Sequence, residues 1–290
     1  MTPQDSGRAR RGVQHVFEVL STERISPHLV RVHLGGDGFA AFADGIDEAK
    51  ARKTDKYVKL LFTRPELGLT PPYDLDALRE RLAPEDMPSR RTYTVRSIDL
   101  EAGSMAVDFV VHGDEGIAGP WAASAKPGDR IALSGPGGQY EPAAEVGFHV
   151  LLGDDSAVPA IAAALEALAG DARGLAIIEV GSAADELDLR APAGVEVRWV
   201  HRAGAPYGEP LVAAVEALEA PAEPVDVFAH GEREAMKRLR PLLQKQWGID
   251  RSRLSLSAYW AYGRAEDTFQ AEKREPIGQI FEPEAPGASR

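Results

Sequence analysis

Between residues 143 and 148 the spacing of apolar residues changes its rule, and that change limits the folds open to the chain. Upstream, short segments alternate apolar and polar side chains, as half-buried antiparallel strands do. Residues 13–20 and 29–34 read as two such strands, with Ser26-Pro27 between them and glycines 35, 36 and 38 closing the second. Residues 56–62 read as a third. The charged patch at 47–55 is a solvated loop or a short helix, and 74–82 has helical spacing with Asp74 as its cap. Residues 91–96, 104–112 and 130–134 are again strand-like. Strands at this density, with no long helix between them, point to an antiparallel barrel or sandwich ending near residue 142.

Downstream, residues 148–153 form a continuous apolar run of the kind buried in a parallel sheet. Further apolar runs at 175–180, 195–200, 225–229 and 254–258 alternate with helical patterns at 158–169, 210–218 and 233–246. That alternation predicts a doubly wound α/β domain. The expected organisation is therefore two-domain: an antiparallel β-barrel over 13–143, then an α/β domain with a parallel sheet over 144–262. A polar N-terminus, 1–12, is expected to be disordered. The tail, 263–290, is expected to hold one helix near 266–275 and a disordered end bearing Pro283 and Pro286. A length of 290 residues suits two domains.

Composition narrows the chemistry. The absence of cysteine removes disulfides, thiolate nucleophiles and cysteine-ligated metal or iron–sulfur sites. Redox work would fall to a bound organic cofactor or to other metal ligands. A net charge of −12 argues against nucleic acid as the main partner, since phosphate backbones call for a basic surface. No apolar run approaches the ~20 residues of a membrane helix. The polar N-terminus lacks the apolar core of a secretory signal, so the default compartment is the cytoplasm.

The stretch richest in chemistry is Arg90-Arg91-Thr92-Tyr93-Thr94-Val95-Arg96. With a period of two, Arg91, Tyr93 and Val95 share one strand face and Thr92, Thr94 and Arg96 the other. An arginine beside a tyrosine on one face can bind an anionic diphosphate while the ring stacks on a planar heterocycle. Thr94 then offers a hydroxyl and an N–H at the ring's edge. An edge strand with solvated arginines has the same pattern. A second stretch, residues 153–157, ends an apolar strand and opens a helix. Small residues there allow close approach to a phosphate at a helix N-terminus. It lacks the G-x-G-x-x-G fingerprint, and Asp154 and Asp155 are acidic where a phosphate would come. A plain helix cap at 154–156 is the structural alternative.

A barrel with an Arg-x-Tyr-Thr strand followed by a doubly wound domain resembles the ferredoxin–NADP reductase superfamily. Further motifs are similar to the siderophore-interacting protein family of flavin-dependent ferric-siderophore reductases. They are Phe109-Val110-Val111-His112-Gly113, Ala118-Gly119-Pro120-Trp121-Ala122, Pro127-Gly128-Asp129, Gly135-Pro136-Gly137-Gly138, the 153–160 segment and the 259–267 segment. Their order, over about residues 13–273, makes the resemblance specific.

The resemblance implies FAD in the barrel and NAD(P)H as co-substrate on the α/β domain, with a ferredoxin as an alternative donor. Arg91 would bind the FAD diphosphate, Tyr93 stack on the isoalloxazine, and Thr94 bond near N5. Val110 would offer backbone groups to the pyrimidine edge, with His112 close to the phosphate or ribose. Ala118, Gly119, Trp121 and Ala122 would start a short helix facing the diphosphate. His112 and Trp121 also have plain packing readings. Gly153, Asp154, Asp155, Ser156 and Ala157 would border the nicotinamide nucleotide. A cationic pocket for an anionic iron chelate would draw on Lys56, Lys59 and Arg264, with Arg96 and Arg253 behind them. The family often carries a basic residue after Gly135-Pro136, where this chain has Gly137-Gly138. Tyr259, Trp260 and Tyr262 could instead form a lid over the flavin.

The implied reaction runs from NAD(P)H through flavin to Fe(III) in a siderophore, releasing Fe(II). It asks for no protein metal ligand, nucleophile or general base. A general flavin reductase on the same scaffold and a non-catalytic siderophore carrier are the alternatives. A hydrolase built on paired carboxylates finds no supporting spacing.

Overall fold

The computed structural model describes residues 13–111 and 116–281. Six antiparallel strands, β1 (His15–Ser26), β2 (Leu29–Gly35), β3 (Tyr57–Phe62), β4 (Ser89–Asp99), β5 (Ser104–Val110) and β6 (Arg130–Gly137), close into a barrel. Their order around it is β1-β2-β5-β4-β3-β6. The alternative of a sandwich is thereby settled. Alternating side chains of these strands meet inside: Phe17, Val32, Leu60, Val95, Val107, Phe109 and Leu133 are all buried in one core. Short helices fill the connections, namely α1 (Gly38–Ala43), α2 (Glu48–Arg52), α3 (Leu75–Arg79) and α4 (Ala118–Ser124). Asp74 caps α3 by accepting from the N–H groups of Asp76 and Ala77.

The second half is a five-stranded parallel sheet in the order β11-β10-β7-β8-β9. The strands are β7 (Phe148–Asp154), β8 (Arg173–Val180), β9 (Gly194–His201), β10 (Val225–Glu232) and β11 (Leu254–Trp260). α5 (Val158–Ala167), α6 (Glu209–Glu216) and α7 (Arg233–Pro241) cover its faces, and α8 (Glu266–Glu272) follows the last strand. β10, flanked by β11 and β7, is buried along its whole length, which explains its run of apolar residues. No helix among the described residues is long and apolar enough to cross a membrane.

Polar contacts seat the halves on one another. The Tyr140 hydroxyl donates to Asp226 Oδ2 at 2.8 Å, and His28 Nδ1 lies 2.6 Å from Asp185 Oδ1. The Arg96 guanidinium forks onto the Glu166 carboxylate at 2.6 and 3.0 Å. Within the second half, Arg253 reaches Glu145 at 3.3 Å. Arg96 and Arg253 are thus used in ion pairs, and neither borders the cleft described next.

Candidate active site

Between barrel and sheet lies a cleft of about 1360 Å³. β4 forms part of one wall. Its register with β3 sets Tyr57 opposite Thr94, Val58 opposite Tyr93 and Leu60 opposite Arg91. Alternation turns Tyr93 and Val95 toward the barrel core and Thr94 and Arg96 toward the second domain. Because β4 runs along the rim, Arg91, Thr92, Tyr93 and Thr94 all border the cleft. The Tyr93 ring leans on Phe109 with centroids 4.4 Å apart, and burial raises its phenol far above the ordinary range. It is therefore a neutral flat surface. Thr94 lies near Tyr259 of β11, and both border the cleft. The Arg91 guanidinium donates to its neighbour's carbonyl, Arg90 O, at 2.7 Å and to Asp267 of α8 at 3.2 Å.

The opposite wall is made where the parallel strands end. Asp154, the last residue of β7, is buried and accepts four hydrogen bonds. They come from the Ser156 N–H and hydroxyl (2.9 and 2.5 Å), the Glu232 N–H (2.7 Å) and the Trp260 indole (2.9 Å). This carboxylate ties β7, β10 and β11 together. Gly231, at φ 156°, makes room for it: a Cβ there would sit 2.6 Å from Asp154 Oδ2. Asp155 has no such set of donors. Burial first, then the charge of Asp154, push its carboxyl up to about 7, against the pull of Arg202 3.5 Å away. Arg202 follows β9 directly. Its guanidinium also lies 3.3 Å from Glu179 and stacks 4.1 Å from the Tyr207 ring centroid. Glu179, fully buried, accepts from the N–H groups of Gly208 and Leu211 as well.

His230, at the end of β10, stacks on Phe228 at 4.0 Å and meets the edge of Tyr259. Burial, with nearby Lys273, lowers its imidazole to about 3, so the ring is neutral at physiological pH.

Several residues singled out in the sequence do not reach the cleft. Lys56 donates instead to the carbonyls of Ala51 and Lys53 at the C-terminal end of α2, where the helix carries partial negative charge. Trp121 packs on Phe62 and Phe109 at 5.5 and 5.6 Å, as the plain packing reading had it. Ala118, Gly119 and Ala122 are buried behind β5, with Gly119 needed because a Cβ would lie 3.1 Å from Val110 O. Gly153 and Ala157 are packing residues too: a Cβ on Gly153 would sit 2.5 Å from that of Ala157. His112 falls outside the described residues. Val110, Lys59, Arg264, Asp154, Asp155 and Ser156 do border the cleft. The 154–156 segment does not cap α5; Ala157 stands at that position.

Comparison with known proteins places this geometry. Residues 18–140 match the profile of the siderophore-interacting FAD-binding domain, and residues 147–263 that of the siderophore-interacting protein. The chain belongs to the siderophore-interacting protein family. Ferric vibriobactin reductase ViuB of Vibrio cholerae is 29% identical over 95% of this chain and 100% of its own. The NADPH-dependent ferric-chelate reductase of Escherichia coli is 28% identical over 89% and 98%. A siderophore utilization protein from T. fusca has a solved structure that matches with a TM-score of 0.74 at 39% identity, over 87% of this chain and 94% of that one.

In this siderophore-interacting protein the missing basic residue after Pro136 has a packing cause. A Cβ on Gly137 would lie 2.4 Å from the Tyr57 ring, which takes that space and borders the cleft. Reading by motif passed over Arg202, Tyr207, His230 and Asp55, all of which line the cleft. For Arg202 and His230 a signal was present. Ligands of doubly wound sheets sit beyond the carboxyl ends of the strands, and both residues stand at such ends.

Proposed function

We propose that this protein is an FAD-dependent ferric-siderophore reductase that draws electrons from NAD(P)H and releases Fe(II) for assimilation. The observation that carries the reading is the placement of Arg91, Tyr93 and Thr94 of one strand along a cleft closed by the ends of a parallel sheet. The cleft exceeds the roughly 300–1,000 Å³ of ordinary small-molecule pockets, leaving room for a dinucleotide and a second planar ligand. The residues present fit FAD: a cation for the diphosphate, a neutral ring for stacking and a hydroxyl beside it. When bound, FAD accepts hydride from a nicotinamide and gives up electrons singly, joining a two-electron donor to a one-electron substrate.

Arg91 would hold the diphosphate, exchanging its contact with the exposed Asp267 carboxylate. Tyr93, backed by Phe109, would fix the plane of the isoalloxazine, with Thr94 at its N5 edge and Val110 backbone at its pyrimidine edge. α4, with Trp121, supports β5 from behind. Asp155 and Ser156 face the nicotinamide nucleotide. Lys59 and Arg264 supply positive charge for the anionic iron chelate; Lys56 does not take part. Reduction of the bound Fe(III) weakens its hard oxygen ligands' hold, so the chelator lets the metal go. The reaction is assigned to the cytoplasm, where NAD(P)H is at hand.

Purified protein should be yellow, bind FAD, and bleach anaerobically on addition of NAD(P)H. Tyr93→Ala should weaken FAD by about fivefold to tenfold, the worth of one aromatic stack. Unchanged flavin affinity in that variant contradicts the site. Bleaching by a reduced ferredoxin but not by NAD(P)H would replace the donor.

A further inference from the structure

The corner of the cleft beyond β8 and β9 bears on which nicotinamide is used, given the nicotinamide-dependent reading above. In doubly wound folds an acidic group bonds the ribose hydroxyls of NAD, whereas an arginine accommodates the 2′-phosphate of NADP. Here both kinds of residue are present and they are engaged with each other. Arg202 is 3.5 Å from Asp155 and 3.3 Å from Glu179, and its flat face rests on Tyr207. Asp154 and Asp185 add two further carboxylates around Asp155, and Asp185 is met from the barrel by His28. Two carboxylates thus hold the one arginine, and two more lie around Asp155.

A dianionic 2′-phosphate arriving here must take Arg202 from its partners and lie among carboxylates. A ribose diol adds no charge, and its hydroxyls can donate to Asp155. We propose that Asp155, by occupying Arg202, makes this reductase select NADH over NADPH and is its specificity-determining residue.

The same geometry couples selectivity to protons. The Asp155 carboxyl titrates at about 7, so acid neutralises it and frees Arg202 for a second anion. NADP⁺ affinity should therefore rise from about pH 8 to about pH 6.5, a range in which the 2′-phosphate stays largely dianionic, while NAD⁺ affinity should not rise. In the Asp155→Asn variant NADP⁺ affinity should be level across this range.

The test uses FAD-loaded wild type, Asp155→Asn and Asp155→Glu, with anaerobic flavin reduction by NADH and NADPH and equilibrium binding of NAD⁺ and NADP⁺. Wild type should favour NADH by about tenfold or more in kcat/KM. Asp155→Asn should move that ratio toward NADPH by about tenfold, chiefly through KM, and Asp155→Glu should restore the NADH preference. A wild-type preference for NADPH, no preference, or a ratio unmoved by Asp155→Asn overturns the inference while leaving the nicotinamide-dependent reading intact. If neither nucleotide reduces the flavin, yet chemically reduced protein still reduces a ferric chelate, the donor reading fails and the inference fails with it.

Discussion

Asp154 and Asp155 are adjacent in sequence and opposite in circumstance. Four donors offset part of the burial of Asp154, whose carboxyl is still raised by desolvation, whereas Asp155 has one guanidinium 3.5 Å away. The difference shows in stability as a function of pH. A carboxyl raised from 3.8 to about 7 in the folded state favours folding while protonated. Its contribution is complete below the unfolded value and is lost as pH rises toward 7. Asp155→Asn removes that loss. The variant should melt about 3 °C or more above wild type at pH 8 and gain less at pH 5, by calorimetry. An equal gain at both pH values contradicts the assignment. From sequence, the two aspartates were indistinguishable. Which one meets the ends of β10 and β11 is set by tertiary contacts 78 and 106 positions away.

At the scale of elements, period carried far. The alternation of β4 and the apolar run of β10 were legible because burial on one face or on two leaves different patterns. What spacing could not convey was whether a side chain at the right position finds a nearer partner. Lys56 met the end of α2, Arg96 met Glu166, and Trp121 met the barrel's own rings. The Arg96–Glu166 fork is the direct tie between flavin-side strand β4 and helix α5 of the sheet domain. Arg96→Ala should leave FAD content unchanged, since the side chain faces away from the cleft. It should slow flavin reduction by nicotinamide about threefold to tenfold through loosened alignment of the domains, with partial recovery in Arg96→Glu/Glu166→Arg. Rapid-mixing absorbance reads this, and an unaltered reduction rate would show that the fork does not set that alignment.

The whole molecule is organised around the cleft that neither half makes alone. The barrel contributes the Arg91–Thr94 edge, and the sheet contributes strand ends with Asp155, Arg202 and His230. On the proposed reading one space has two stacked uses: a nicotinamide approaches from the sheet, and an iron chelate reaches the surface carrying Lys59 and Arg264. Net charge of −12 does not oppose an anionic substrate here, because these cations, with Arg91 and Lys273, are gathered along the cleft. The most direct test is a single-turnover mixing of NAD(P)H-reduced protein with a ferric siderophore under anaerobic conditions, in the presence of an Fe(II) trap. Electron balance predicts that the flavin reoxidises with about two Fe(II) trapped per flavin. A flavin that stays reduced beside the chelate, while a dye reoxidises it freely, would contradict the account.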